Sequence, residues 1–311
     1  MRVITIYAPI RGFGVFRAGG RIVERRNRLL HNFFRMLYGI LSYQNVTVYD
    51  SGGNAYTWNL QNDPMTRGPW GGCPHADRCA ETEELPFSAN ICSRNCRDDG
   101  YEDDVGLAEL TDRVCAQLTL PAGCNANSTT IAVAISTTEG TVAGVRLAHS
   151  VATIVAGDIV AHRICFYEPW LRNFAAIWAA IFCDCDRFSA VDMNGTQFDI
   201  RGSGDVFEGS AKMVIGYGTD PFTFVDHSLT NPKEVATTIS ADITDTYANI
   251  VITGQYTPPT DEVIYEIGMK LPIYDINGTL HDVLVLRHVN PSGYSVSAGQ
   301  PVVIRIIIHG E

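Results

Sequence analysis

The chain has 311 residues, of which 46% are hydrophobic and 18% are charged, and its formal net charge is −11. This length is enough for two domains of ordinary size, and the hydrophobic content excludes an intrinsically disordered chain. The negative charge argues against non-specific binding of nucleic acid by the whole surface. Residues 1–9 lack the apolar core of a signal peptide, and the longest apolar run, 174–183, is too short to span a bilayer. We therefore expect a protein that is made in the cytoplasm and has no membrane partner.

The first predicted elements are strands and a helix. Residues 2–23 are predicted to form two or three short strands, with turn positions at Gly12, Gly14, Gly19 and Gly20 and a hairpin tip at Ala18-Gly19-Gly20-Arg21. Residues 27–42 follow, and their apolar side chains recur at the spacing that gathers one face of an amphipathic helix. A strand at 46–49 comes next, and the periodic pattern ends after Trp58.

Arginine is concentrated at the beginning of the chain. Residues 1–42 contain eight arginines and one glutamate, whereas residues 77–112 contain eleven acidic residues and three arginines. Opposite charges in separate segments favour head-to-tail pairing between copies, and the alternative is that both runs are solvated surface. Arginine suits fixed bidentate contacts at interfaces. The candidate residues for an assembly interface are Arg25, Arg26, Arg28 and Arg305.

Residues 59–128 are predicted to be an insertion with little regular structure. This segment holds six of the nine cysteines and most of the acidic run, so it needs a covalent or metal staple to be ordered. One interpretation is a structural zinc site, because zinc takes sulfur and nitrogen ligands at short spacings. Its ligands would be Cys73, His75, Cys79, Cys92 and Cys96. Disulfides are the preferred interpretation, and free thiols are the third.

The remaining candidates for disulfides or a metal are Cys115, Cys124, Cys165, Cys183 and Cys185. Cys183 and Cys185 are too close in sequence to bridge each other comfortably, so either is a potential partner of Cys165. The odd number of cysteines leaves at least one unpaired, or paired between chains. Disulfides in a chain without a signal peptide would indicate an oxidising destination after lysis of the cell, or a hyperthermophilic host.

The second half is predicted to contain one helix, at 169–183, and many short strands. Together with the end of the first half, strands are expected at 129–136, 141–147, 152–155, 159–166, 188–191, 197–201, 211–217, 235–243, 249–256, 263–273, 283–289 and 301–309. Many short strands separated by turn residues are typical of a sandwich or barrel. The last strand is expected to be the most buried, with Arg305 at an interface or an edge.

The two helices share a sequence pattern. Leu30-His31-Asn32-Phe33 returns as Leu171-Arg172-Asn173-Phe174, and a strand and an acidic turn follow each helix. We interpret this as an internal duplication in which each helix fills its own β-sheet core, and the alternative is two unrelated amphipathic helices. The predicted fold is therefore mainly β, with two related jelly-roll-like β-sandwich domains at 1–150 and 151–311. Each domain has one amphipathic helix, and the first carries the cysteine-rich loop insertion.

Two octets, residues 192–199 and 275–282, have nearly the same sequence. Each resembles half of a calcium loop, but the full twelve-residue loop with its terminal glutamate is missing. A tight Asn-Gly hairpin explains both octets without a metal. Four asparagines begin N-x-S/T sequences and are possible glycosylation sites: Asn45, Asn127, Asn194 and Asn277. For the last two, turn formation is the alternative explanation.

Several motifs of the second half follow one another in a fixed order. They are Gly216-Tyr217-Gly218-Thr219, Asp226-His227-Ser228-Leu229, Tyr265-Glu266-Ile267-Gly268, Val285-Leu286-Arg287 and Ser297-Ala298-Gly299. In this order they resemble the pattern of structural proteins of tailed phages and related prokaryotic or archaeal viruses. The resemblance covers roughly residues 150–311, and its opening part is echoed at 15–57. It implies a β-sandwich virion component, although the cysteine-rich loop departs from the pattern.

The chain contains no G-x-S-x-G, H-E-x-x-H, phosphate-loop or dinucleotide signature, so we do not expect an enzyme. The resemblance implies a capsid, tail or decoration subunit that is located in the virion and assembles with copies of itself and other virion proteins. No cofactor is expected unless zinc is bound, and nucleic acid is not an expected partner, although Arg25, Arg26 and Arg28 could touch it inside a virion. The alternatives are an extracellular filament or surface-layer subunit, a glycan-binding tail-fibre module, and a zinc-stabilised enzyme.

Overall fold

A computed structural model describes residues 1–50, 52–58, 60, 105–119, 131–137, 140–150, 158–183, 186, 188–202, 205–243 and 248–310. The helices are α1 (His31–Ser42) and α2 (Arg172–Cys183). The strands are β1 (Arg2–Ala18), β2 (Arg21–Leu29), β3 (Val46–Tyr49), β4 (Ala55–Trp58), β5 (Val105–Leu110), β6 (Arg113–Thr119), β7 (Ile131–Thr137), β8 (Gly140–Ser150), β9 (Asp158–Tyr167), β10 (Ser189–Val191), β11 (Gln197–Asp199), β12 (Lys212–Gly216), β13 (Lys233–Glu234), β14 (Ala236–Ile243), β15 (Ala248–Tyr256), β16 (Glu262–Tyr274), β17 (Leu280–Val296) and β18 (Val302–Gly310). The described chain is thus mainly β with two helices, which confirms the predicted class.

In the described part of the chain, the strands form one large sheet and two small ones. The main path of the large sheet has the order β14-β15-β18-β1-β2-β8-β7-β4-β3, and a branch of β5, β6 and β9 joins it at β1. The second sheet has the order β13-β12-β16-β17, and β10 pairs with β11 alone. The last strand, β18, lies between β1 and β15, parallel to β1. Strands from both predicted halves share the large sheet, and the proposed boundary after residue 150 stays a prediction.

The N-terminal region forms one long strand where two or three short ones were predicted. β1 runs through Gly12 and Gly14, two of the predicted turn positions, because both glycines pair with β2 and with β9. Pairing on both sides holds a glycine in extended conformation despite its low strand propensity. The predicted hairpin tip is confirmed, since Gly19 and Gly20 connect β1 to β2 with φ values of +56° and +76°.

Helix α1 begins at His31 and not at Asn27 as predicted. Residues 27–29 continue β2 and pair with β8, so tertiary strand pairing outweighs the local helical periodicity there. The helix ends at Ser42, as predicted, and Tyr43 follows it in the left-handed conformation. The arginines before the helix therefore lie on a strand, where Arg25, Arg26 and Arg28 are exposed.

Helix α2 begins at Arg172 and not at Pro169 as predicted. Trp170, two residues before the helix, forms an antiparallel bridge with Leu286 of β17 and is fully buried. The chain therefore enters the helix from an extended segment that is attached to the second sheet. The helix ends at Cys183, as predicted.

Both helices pack into one hydrophobic cluster together with the inner faces of the sheets. The rings of Phe33 in α1 and Trp178 in α2 are in edge contact, with 5.1 Å between their centroids. The helices therefore share a core, whereas the sequence predicted a separate core for each. In β18, Ile304, Ile306 and Ile308 are fully buried and Arg305 is exposed, as expected for a central strand with one solvent-facing side.

Part of the predicted insertion has regular structure. Within residues 59–128, the segment 105–119 forms the β5–β6 hairpin, and β6 pairs with β9 in the large sheet. Cys115 of β6 lies directly opposite Cys165 of β9, and the two form a disulfide. The expectation that Cys165 pairs with Cys183 or Cys185 is therefore wrong, because the strand register places Cys115 beside it.

An asparagine in each helix is bonded to the strand that follows that helix. Asn32 donates from Nδ2 to the carbonyl of Tyr49 (2.7 Å) and accepts at Oδ1 from the Tyr49 N–H (3.0 Å). Asn173 makes the same pair of bonds with Val191, at 2.9 and 3.2 Å. Both asparagine side chains are buried. Each helix is thus fixed by the same two-way amide contact.

The residue that precedes each helix is also held in the same way. The Leu30 N–H donates to the carbonyl of Leu147 in β8 (2.6 Å), and the Leu171 N–H donates to the carbonyl of Val285 in β17 (3.0 Å). Leu147 lies in the second strand of the β7–β8 hairpin, and Val285 lies in the second strand of the β16–β17 hairpin. Each helix is therefore attached to the second strand of a hairpin.

Candidate functional site

Four of the five motifs of the second half meet at a buried ion pair between Glu266 of β16 and Arg287 of β17. Arg287 donates from Nε and Nη2 to Glu266 Oε1, at 2.9 and 2.7 Å, and from Nη1 to Asp226 Oδ2, at 2.5 Å. Glu266 is 1% exposed and Arg287 is 4% exposed. Burial alone would lower the pKa of Arg287, but the bonds to Glu266 and Asp226 raise it above its usual value. The guanidinium is therefore charged at any physiological pH.

The second oxygen of Glu266 holds the loop at 217–230 against the sheet. Glu266 Oε2 accepts the N–H groups of Gly218 (2.8 Å) and Thr230 (2.9 Å). From the other side, Arg287 donates to the carbonyls of Asp220 (3.1 Å) and Pro221 (3.3 Å). The hydrogen-bonding groups of Glu266 and Arg287 are therefore all used within the chain. Such a buried and fully bonded pair holds the loop in place, because no lone pair or N–H group remains to bind a substrate.

The two glycines of the Gly216-Tyr217-Gly218 motif make room for this carboxylate. A Cβ on Gly216 would lie 2.5 Å from Glu266 Oε2 and 2.8 Å from Leu229 Cβ. A Cβ on Gly218 would collide with Thr230 and lie 2.9 Å from Glu266 Oε2. These glycines therefore permit a close approach, and the group that approaches is the side chain of Glu266.

The octets at 192–199 and 275–282 form two turns of one type. Asp192 Oδ1 accepts the N–H groups of Asn194 and Thr196, each at 2.9 Å. In the second turn, Asp275 Oδ1 accepts the N–H groups of the residues at the same two positions, at 2.8 and 2.6 Å. Gly195 and Gly278 have φ values of +84° and +81°, so the predicted Asn-Gly turns are confirmed.

A third turn of this type follows α1. Asp50 Oδ1 accepts the N–H groups of Gly52 (2.8 Å) and Asn54 (2.9 Å), and Gly53 has a φ of +83°. The acidic residues after the two helices, Asp50 and Asp192, thus have the same role. Each carboxylate satisfies backbone donors of its own turn.

The two octets also bind to each other. The second residue of each octet donates its N–H to the carbonyl of the last residue of the other: Met193 to Asp282 (2.9 Å) and Ile276 to Asp199 (3.2 Å). The rings at the seventh position, Phe198 and His281, are stacked with their centroids 3.9 Å apart and their planes 5° apart. This reciprocal arrangement is a local pseudo-twofold contact between two hairpin tips.

His281 lies between the carboxylates of both turns. Its Nδ1 is 3.0 Å from Asp192 Oδ2, and its Nε2 is 3.6 Å from Asp275 Oδ2. His227 is close to this site, since a Cβ on Gly195 would lie 3.6 Å from its Nε2. Burial raises the pKa of Asp192, but the bonds from His281 and from the turn N–H groups outweigh this and lower it below the usual value. The pKa of Asp275 is lowered by the corresponding N–H bonds against the effect of burial.

The lowered pKa of Asp192 predicts a contribution to stability that acid removes. A carboxyl with a lower pKa in the folded state stabilises the fold above its unfolded pKa, about 3.9, and loses this effect as the pH falls through the folded value. Replacing Asp192 with Asn is expected to lower the free energy of unfolding by about 1–2 kcal/mol at pH 7. In urea titrations the difference from the wild type should shrink towards pH 3. Asp205→Asn, at an exposed position, is the matched control, and a difference that is constant with pH would contradict the prediction.

A surface groove with a volume of about 530 Å³ lies beside the start of α2. Its lining is partly apolar, with Leu107, Phe188 and Val225 among the apolar residues, and partly polar, with Arg172, Asn173, Ser189 and Gln197. Arg172 Nε donates to Glu109 Oε1 (2.6 Å), so this guanidinium is already ion-paired.

The structure places the remaining candidate residues in separate regions. Arg305 of β18 is exposed and lies opposite Thr5 of β1, whereas Arg25 of β2 lies opposite Gly14, nine residues further along β1. Asn194 and Asn277 are exposed at turn tips, whereas Asn45 is exposed with its Oδ1 bonded to the N–H of Leu60. The predictions that lie outside the described residues concern Cys73, His75, Cys79, Cys92, Cys96, Cys124, Asn127 and Cys185. The side chain of Cys183 is likewise not described.

Sequence reasoning missed the partners of the buried charges. The sequence did not indicate that Arg287 and Asp226 are the partners of Glu266. His281 was part of a quoted octet and received no role. The contact of His281 could have been inferred from the two octets. His281 and Phe198 both occupy the seventh position, and aromatic rings at the same position of two repeated turns suggest that the turns contact each other.

Comparison of the chain with protein-family models, with curated proteins and with solved structures finds no match. Neither helix of the described chain is long and apolar enough to cross a membrane. Within the same residues, no group of three or more His, Cys, Asp or Glu side chains is placed to hold a metal ion.

Proposed function

We propose that the protein is a non-enzymatic structural subunit of a virus particle, in its capsid, tail or decoration, and that it acts by assembling with copies of itself and with other virion proteins. The motif resemblance supports a virion component. The proposal of self-assembly is based on the composition of one exposed sheet face, the solvent face of β1 and β18.

The solvent face of β1 and β18 has the composition of a protein interface. Val3 and Tyr7 of β1 are 50% and 62% exposed. Thr5 lies between them and pairs with Arg305 of β18, which is also exposed. Aromatic residues and arginine are enriched at interfaces, and lysine and glutamate are depleted there. An exposed face with a valine, a tyrosine and an arginine on adjacent strands of the large sheet therefore suits contact with another subunit.

The buried charges support a structural role as well. The Glu266–Arg287 pair and the carboxylates of Asp192 and Asp275 are used to hold a loop and two turns. Each is bonded within the chain, and this fits a protein whose activity is assembly.

Electron microscopy and sedimentation test the proposal. Purified protein is expected to form particles, tubes or defined oligomers as its concentration rises. Val3→Ser combined with Tyr7→Ser should reduce assembly, whereas Ile22→Ser, at a 59% exposed apolar residue near the β1–β2 hairpin tip, should not. A wild-type chain that stays monomeric at high concentration would refute the proposal, and a monomer that binds glycans would favour the tail-fibre alternative.

We also infer that the two helices and their hairpins come from an internal duplication. Three matched features support this: the amide contacts of Asn32 and Asn173, the backbone bonds of Leu30 and Leu171, and the turns after each helix. Unrelated helices would not be expected to share all three. The division into two jelly-roll sandwiches is part of this inference.

The duplication predicts equal roles for the two helix asparagines. Asn32→Ala and Asn173→Ala should each lower the free energy of unfolding by about 1–3 kcal/mol, because each leaves backbone groups of the next strand without a partner. Asn194→Ala, at an exposed turn tip, should change it by less than about 0.5 kcal/mol. Urea denaturation measures all three, and a large effect of only one helix variant would show that the two anchors are not equivalent.

A further inference from the structure

The main path of the large sheet ends at a long edge strand, β14. Among the described strands, β14 pairs with β15 alone. All eight of its residues are paired with β15 in continuous register, without a bulge. The opposite edge of such a strand presents a row of backbone N–H and C=O groups that a further strand can bind.

The protective residues that are common on sheet edges are missing from most of the β14 sequence. Residues 236–241 contain no proline, lysine or other charged residue, and Asp242 is the one charged residue of the strand. The outward side chains of Ala236, Thr238 and Ser240 are small and exposed. The strand at the other end of this path, β3, has four residues, so it offers a much shorter edge.

The core is incompletely covered along this edge. Ile239, Ala241 and Ile243 point inward and pack against the hydrophobic cluster, but they are half-buried. On the neighbouring strand β15, Ile250 and Ile252 are fully buried. An additional strand beside β14 would remove this apolar rim from water, which favours binding beyond the backbone bonds themselves.

We propose that the β14 edge pairs antiparallel with β14 of a second copy, so that the two large sheets become one. This rests on the proposed function, because it names a second surface, distinct from the exposed face of β1 and β18, through which the subunits associate. A twofold axis at Ile239 sets Thr238 opposite Ser240, and Asp242 opposite Ala236. No two like charges then face each other, and both partners use the same surface, as an isologous contact requires.

Sedimentation velocity and hydrogen exchange test this contact. Thr238→Lys combined with Ser240→Lys places lysines opposite each other across the axis, and it should weaken the self-association of the full chain by about tenfold or more. Thr257→Lys combined with Thr260→Lys adds the same charge at exposed positions outside the strand and should leave association unchanged. Amide exchange in β14 of the wild type should slow as the concentration rises, and thermal unfolding of each variant checks its fold.

The outcomes separate this inference from the proposed function. If the wild type assembles but the β14 amides gain no protection and the Thr238→Lys/Ser240→Lys variant assembles equally well, the β14 contact is wrong and assembly uses another surface. If the wild type does not associate at all, both are wrong. If β14 gains protection only on addition of a different virion protein, its partner is not a second copy and the inference fails.

Discussion

Replacing Arg287 with Met is expected to lower the free energy of unfolding by about 3–5 kcal/mol, because removing one partner of a buried ion pair leaves the other charge uncompensated. Glu266, 1% exposed, would remain buried without its guanidinium. The carbonyls of Asp220 and Pro221 would lose their donor at the same time. Urea denaturation at pH 7 measures the change, and amide exchange should show the loop at 217–230 loosening first.

Two further variants decide whether the loss comes from the buried charge. Arg17→Met removes an exposed arginine and should change the free energy of unfolding by less than about 0.5 kcal/mol. Glu266→Gln combined with Arg287→Met removes both charges and should be more stable than Arg287→Met alone by at least about 1 kcal/mol. The interpretation is wrong if Arg287→Met costs less than about 1 kcal/mol, or if the double variant is no more stable.

Most strands could be predicted from the sequence because alternation and turn residues are local signals. Among the strands from β10 to β18, all except β13 and β17 lie close to the predicted ranges. No strand was predicted at β13, and β17 extends to Val296, beyond the predicted end at residue 289. The Asn-Gly turns at 194–195 and 277–278 were identified from their own residues. The ends of the helices were also correct, since the apolar periodicity stops at Ser42 and Cys183. In each of these cases the determining interactions lie within a few residues of one another.

The errors concern contacts between distant segments. The beginning of α1 was placed too early because residues 27–29 look helical locally, and only their pairing with β8 makes them a strand. Gly12 and Gly14 look like turn residues until two neighbouring strands hold them extended. A shared core for the two helices depends on the contact of Phe33 with Trp178, and no local pattern predicts it.

The candidate site was predictable in part. The motifs include Glu266, Arg287 and Gly218, but no local pattern shows that these residues contact one another. Their hydrogen bonds join residues 21 or more positions apart and follow from the strand register. The partner of Cys165 could not be deduced, because disulfide connectivity depends on which strands are adjacent. Repetition was the most informative long-range signal, since the two similar octets proved to bind each other.

Reducing the Cys115–Cys165 disulfide is the second change for which we expect a large effect. The two residues are 50 positions apart, and the loop-entropy relation gives about 4 kcal/mol for closing a loop of this size in the unfolded chain. Both cysteines are fully buried in paired strands of the large sheet, so the bond joins the β5–β6 hairpin to β9 inside the protein. We expect the reduced wild type to unfold at a clearly lower urea concentration than the oxidised protein.

The other cysteines make a paired comparison necessary, and Cys115→Ala combined with Cys165→Ala provides it. If this bond carries the effect, reductant should destabilise the wild type by about 4 kcal/mol more than it destabilises the double variant. Denaturation of both proteins with and without reductant isolates the bond from the remaining thiols and from the small cavities that alanine leaves. Equal responses of the two proteins would mean that the β5–β6 hairpin is held by its backbone pairing with β9, and that the disulfide adds little to the stability of the folded chain.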